Sequence, residues 1–176
     1  MNNLPTTHLS DSPFGTKIKS EDIAETLCFF DDWEDRYRYI IDLGRELPTL
    51  PVSFRTDENL IIGCQSQVWL VCEYDETNNL LLMAVDSEAQ IVKGLAGIVL
   101  SAFNKKKPQE VTDFNIEAFF TDIDLFSHLS SMLGNGLRAM VSWRETGDCF
   151  ARHWAFALHW LMFSAPLCVC ASLANV

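Results

Sequence analysis

Apolar and polar positions change their period several times along the chain, and each change marks an element. Residues 1–19 show no period. Pro5, Pro13 and Gly15 lie among Ser, Thr and Asn there, which reads as a flexible arm. At Ser20 a helical pattern starts. Ser20 is placed to cap it, Glu21 and Asp22 suit its first turn, and Ile23, Leu27 and Phe30 face inward with Cys28 as packing. A second helix is expected over 32–47, where Trp33, Tyr37, Ile40, Ile41, Gly44 and Leu47 recur at helical spacing. Glu34 and Arg38 form an i,i+4 pair on its outer side, and Pro48 and Pro51 end it.

The period then drops to two. Strands are expected near 60–62, over 67–74 and over 80–85, with Thr77-Asn78-Asn79 turning the second into the third. Val68, Leu70, Cys72 and Tyr74 share one face of the middle strand, Trp69 and Val71 the other. A side chain as large as Trp69 implies that its face is covered as well. Helical spacing returns over 88–103, where Ile91, Val92, Leu95, Ala96, Val99, Leu100 and Phe103 are apolar on more than one stripe, as in a central buried helix. The run Lys105-Lys106-Lys107 reads as a solvated helix end. Short helices are expected over 108–111, 117–122 and 125–129, and another from about Asn135 with Leu137, Met140 and Val141. Helices, then strands, then helices predict an α+β fold: a small three-stranded antiparallel sheet with helices packed mainly on one face.

One cysteine interrupts this pattern where chemistry is possible. In Ile61-Ile62-Gly63-Cys64-Gln65-Ser66-Gln67-Val68-Trp69, an apolar stretch stops at a glycine, and three polar residues separate Cys64 from the next apolar run. Cys64 is thereby placed at a turn tip between two strands. Gly63 removes a side chain beside the sulfur, and Gln65, Ser66 and the turn's N–H groups could hold an anion. The competing reading is an ordinary turn cysteine. A thiol hydrolase or peroxidase would need a base, for which His128 is the candidate.

Charge narrows the partners. The chain has 24 acidic and 13 basic residues, a formal net charge of -11. Such a surface repels nucleic acid and anionic membrane and suits docking on a basic protein surface. The N-terminus carries neither a secretory core nor an Arg-rich transit pattern, so a cytoplasmic location and mostly reduced cysteines are expected. Cys168-Val169-Cys170, or Cys149 with His153, could be half a metal site, but no complete ligand set is visible, and no metal is expected.

Several blocks together resemble the SufE family of sulfur-acceptor proteins. They are residues 30–44 (Phe-Asp-Asp-Trp-Glu-Asp-Arg-Tyr-Arg-Tyr-Ile-Ile-Asp-Leu-Gly) with Leu47-Pro48; Gly63-Cys64-Gln65-Ser66-Gln67-Val68-Trp69; residues 86–95, from Asp86-Ser87 to Gly94-Leu95; and Gly136-Leu137-Arg138-Ala139-Met140-Val141. The resemblance spans about 24–141, and the block around Cys64 is its most specific part. It implies an α+β fold and a domain over 20–141. It also implies that Cys64, supported by Gly63, Gln65 and Ser66, accepts persulfide sulfur from a pyridoxal-phosphate cysteine desulfurase. The chain would speed that enzyme's turnover and pass sulfur to an iron–sulfur cluster scaffold. The pyridoxal phosphate belongs to the partner, and the chain itself would carry no cofactor and act as an accessory protein rather than an enzyme.

The family's Pro-Ser-Arg stretch is replaced here by Ser131-Met132-Leu133, so an arginine that would favour thiolate is missing. Residues 142–176 depart from the family pattern as an apolar tail. After Arg152 no Lys, Arg, Asp or Glu follows, and 154–173 has the length of a membrane span. A membrane role is disfavoured. A helix packed on the body, or a non-native end left by a shifted reading frame, accounts better for the change in composition, and the tail is expected to be dispensable for sulfur transfer.

Overall fold

The computed structural model describes Leu9 and residues 11–64 and 66–146. Helix α1 covers Ser20–Phe29 and α2 covers Trp33–Arg45. Two short 3-10 turns, Val52–Phe54 and Asp57–Asn59, lead to strands β1, Val68–Asp75, and β2, Leu80–Ser87. Helices α3, Gln90–Phe103, α4, Pro108–Asp113, α5, Ile116–Asp122, and α6, Ser131–Thr146, complete it. The fold is α+β, as expected. No helix among the described residues is long and apolar enough to cross a membrane; the apolar window at 154–173 lies outside them.

Among the described residues the sheet has two strands, not three. β1 and β2 pair antiparallel from Val68↔Ser87 to Asp75↔Leu80. The expected strand at 60–62 shrinks to a single bridge, Leu60↔Trp69, with the Ile61 N–H donating to the Val68 carbonyl at 2.8 Å. Pairing stops there because Gly63 turns away with φ 102°, a left-handed conformation open to glycine. At the opposite end of the hairpin the Asp75 carboxylate accepts from the N–H groups of Thr77 and Asn78, and Asn79 takes φ 56°. That chemistry closes the turn that Thr77-Asn78-Asn79 promised.

Alternation sorts the hairpin's side chains between two cores. Val68, Leu81, Met83 and Val85 join the main core with α3, while Trp69, Val71 and Leu82 form a second cluster with Leu9 and Leu50. The face carrying Trp69 is therefore covered: Phe54 and Leu60 of the segment at 50–60 also pack on that cluster. Helix α3 is the central element: Leu95, Ile98, Leu100 and Phe103 are fully buried. α2 crosses it where both helices have glycine. A methyl on Gly94 would lie 1.9 Å from the Ile40 carbonyl oxygen, so only a residue without Cβ permits this approach.

Several local expectations change. The N-cap of α1 is Lys19, not Ser20: the Lys19 N–H donates to the Asp22 carboxylate at 3.3 Å, and Ser20 is buried inside the first turn. Cys28 is exposed rather than packed. Where described, the stretch read as an arm is docked. Phe14 is fully buried, and its carbonyl accepts from the Asn104 side chain at 3.0 Å. Lys105 is not a solvated helix end. Its ammonium donates to the Ser12 carbonyl at 2.6 Å, and its backbone N–H donates to Leu81 at the edge of β2. Residues 126–129 form turns instead of a helix, and α6 begins at Ser131, earlier than Asn135.

Candidate functional site

Cys64 lies in the loop that joins the Leu60 bridge to β1. The Ile61–Val68 hydrogen bond closes the base of this loop, so Gly63, Cys64 and Ser66 are carried on a short, pinched segment. Gln65 lies outside the described residues. Ile62 is 89% exposed and Gly63 is exposed, yet the Cys64 side chain turns inward to half-burial. Its thiol donates to the Gly136 carbonyl on α6, with Sγ 3.5 Å from the oxygen. A methyl on Gly136 would sit 3.2 Å from that sulfur, so the glycine is what lets the thiol rest against the helix.

The thiol opens on a pocket of about 310 Å³, part of it open to solvent. Val92 and Leu95 of α3 form one wall, and Met132, Leu133, Gly136 and Met140 of α6 form the other, with Ser66 at the rim. Burial pushes the Cys64 thiol above its ordinary range. Leu133, at the position where the resemblance leads one to expect an arginine, presents apolar surface to this pocket. The resting site thus holds a neutral thiol in apolar surroundings.

His128 is committed elsewhere. Its ring stacks on Trp33 at 4.0 Å, its Nε2 is 3.3 Å from an Asp124 carboxylate oxygen, and its carbonyl accepts from the Tyr37 hydroxyl. It does not line the Cys64 pocket. Of the other described cysteines, Cys28 is a free thiol on the surface and Cys72 is disulfide-bonded.

Two residues that the sequence reading passed over fix the loop's flanks. Asp86, 1% exposed, accepts from the Leu50 N–H at 3.1 Å, from Arg55 at 2.6 Å and from Lys93 at 3.0 Å. It ties the segment leading into the loop to the end of β2. Arg55 also lies over the Trp69 ring at 5.5 Å. Burial alone would raise the Asp86 pKa, but the Lys93 hydrogen bond and charge, with the Leu50 N–H and the Arg55 charge, outweigh it, and the carboxyl is held below its usual range. Ser87 donates its hydroxyl to the Gln67 carbonyl at 2.7 Å, on the other flank. Both lie in the block from Asp86-Ser87 to Gly94-Leu95, but contacts that join residues 20 and more positions apart leave no mark on local periodicity.

Comparison with known proteins gives the family of the chain. Residues 21–144 match the SufE family, described as an Fe-S metabolism associated domain. That span includes Cys64 and every residue lining its pocket. A SufE-like protein of Rhizobium meliloti (strain 1021) is 46% identical over 123 residues, covering 69% of this chain and 88% of that protein. A SufE-like protein of Rhizobium etli is 45% identical over 123 residues, covering 69% and 83% respectively. The solution structure of a hypothetical protein from Thermus thermophilus superposes with a TM-score of 0.61 at 15% identity, over 76% of this chain and 95% of that one, which is a likeness of fold. With the family matched over most of its length and close relatives bearing the same family name, the chain belongs to the SufE family of Fe-S metabolism proteins.

Proposed function

We propose that the chain is a sulfur acceptor whose Cys64 takes sulfur from the persulfide of a pyridoxal-phosphate cysteine desulfurase. The observation that carries this reading is a free thiol on a short loop, half-buried over an apolar pocket, inside the family's Gly-Cys-Gln-Ser-Gln-Val-Trp block. The step is a thiol–disulfide exchange with a persulfide as electrophile. Cys64 loses its proton, and its thiolate attacks the outer sulfur of the partner's Cys–S–SH. The bond between the partner's two sulfurs breaks, and the partner's thiolate leaves and takes up a proton. Cys64 then carries the S–SH group. Electrons balance with no added oxidant or reductant, and this chain needs no cofactor of its own for the exchange.

A half-buried, neutral thiol suits a carrier better than a stand-alone enzyme. It is slow towards adventitious electrophiles while at rest, and its apolar pocket gives the more reactive persulfide a place away from water. Handing the sulfur to an iron–sulfur cluster scaffold completes the proposed role, in the cytoplasm and without nucleic acid or membrane as partner. The hydrolase or peroxidase alternative has no base to draw on at His128, which is held by Trp33, Tyr37 and Asp124.

Turnover of the partner tests this reading. Alanine release by a cysteine desulfurase, with cysteine as substrate, is followed with and without this chain. The wild-type chain should raise the rate several-fold, and Cys64→Ser should leave it at the desulfurase's own level. Equal stimulation by Cys64→Ser would remove the thiol from the mechanism.

A further inference from the structure

The inward pose of Cys64 depends on how its loop is anchored, and the two flanks are anchored differently. The flank before the cysteine is held several times over. Asp86 grips Leu50 and Arg55, and the Asn59 side chain donates to the Phe54 carbonyl at 2.8 Å; the Ile61 N–H bond to the Val68 carbonyl joins the two flanks at the base of the loop. The flank after it reaches β1 through Gln67, whose carbonyl accepts the Ser87 hydroxyl at 2.7 Å. Ser87 sits opposite Val68 in the sheet register and is 6% exposed. Its own N–H is held by the Asp86 carboxylate at 2.9 Å, and its oxygen accepts from the Ala89 N–H at 3.3 Å. The donor is therefore fixed from both sides, and its bond to Gln67 falls at the point where a swinging loop would have to bend.

We propose that Ser87 is a positioning residue for sulfur transfer: its hydrogen bond to the Gln67 carbonyl holds the Cys64 loop with the thiol against Gly136, and loosening that one bond lets the thiol leave the pocket without unfolding the domain. The proposal rests on Cys64 being the transferring thiol. A reagent too large to reach the tucked sulfur reports the fraction of time the loop is open, because its rate scales with the open population. One hydrogen bond of ordinary net strength changes that population about fivefold.

The test is peptide-resolved alkylation of the full chain, in the absence of desulfurase. Exposed Cys28 on α1 serves as a reference thiol within the same molecule. The Cys64-to-Cys28 rate ratio should rise about fivefold in Ser87→Ala, while loss of this bond together with the Ala89 N–H bond lowers the melting temperature by about 4–8 °C. Ser101→Ala is the control: it removes another buried hydroxyl, bonded to the Ile98 carbonyl at 2.6 Å within α3, and should leave the ratio at its wild-type value. A ratio unchanged in Ser87→Ala overturns the proposal. So does an equal rise in Ser101→Ala, which would assign the effect to general destabilisation. The ratio is measured without a sulfur donor, so it stands or falls separately from whether Cys64 accepts sulfur.

Discussion

Burial acts on Cys64 in two opposing ways. It shelters the sulfur, and it disfavours the thiolate that must attack. With the thiol pushed up by burial, the reactive fraction in the resting protein is small at neutral pH and grows as pH rises. Alkylation of Cys64 should still be climbing at pH values where an ordinary thiol has levelled off. Leu133 offers the complementary change, since it lines the same pocket. A cation there favours the charged form, so Leu133→Arg should move the alkylation profile to lower pH. An unmoved profile would mean that the arginine points away to solvent and that this position does not govern the thiol. Much at this scale was legible. The Gly63-Cys64 pair announced a turn, and the glycine indeed takes the left-handed conformation that ends pairing. Gly136 was not legible as the thiol's seat: it lies 72 residues away, and nothing in its own neighbourhood says which side of α6 meets Cys64.

At the scale of elements, the end of β2 organises the site. Asp86 and Ser87 are consecutive, and they hold the segments on opposite flanks of the Cys64 loop. The Asp86 carboxyl is depressed below its usual range, so its contribution to stability is present above the unfolded carboxylate pKa and is lost as pH falls through the folded value. Asp86→Asn keeps the shape but leaves Lys93 and Arg55 facing a neutral group. It should cost about 3 kcal/mol at pH 7, and the gap from wild type should narrow as pH falls below about 4. Urea unfolding of both proteins across that range measures it; a gap independent of pH would mean that the charge is not what matters. The elements themselves were readable where periodicity was strong. α2 follows from Trp33, Tyr37 and Ile40, with Asp32 accepting from the Asp35 N–H as its cap. The hairpin follows from alternation and its turn. The 60–62 strand failed because an apolar triplet cannot announce whether the next residue continues a ladder or turns out of it. The docking of Phe14 and the contacts of Lys105 were not readable because both are set by a contact between distant segments.

Across the whole molecule, charge and fold separate the roles. The core is carried by α3 and its neighbours, and the formal charge of -11 is left to act on partners. Exposed charges are screened within about 8 Å at physiological ionic strength. Binding to the desulfurase should therefore weaken steadily as salt is raised, mostly through slower association. Affinity that ignores salt would point to an apolar interface, with Ile62 and Met132 beside the thiol as its obvious members. The central claim, however, is that sulfur arrives on Cys64. The measurement that tests it most directly is mass spectrometry of the chain after incubation with desulfurase and cysteine under non-reducing conditions. One added sulfur atom is expected on the peptide bearing Cys64 and none on the peptide bearing Cys28. Sulfur found on Cys28 instead, or no sulfur on a chain shown to bind the desulfurase, would contradict it.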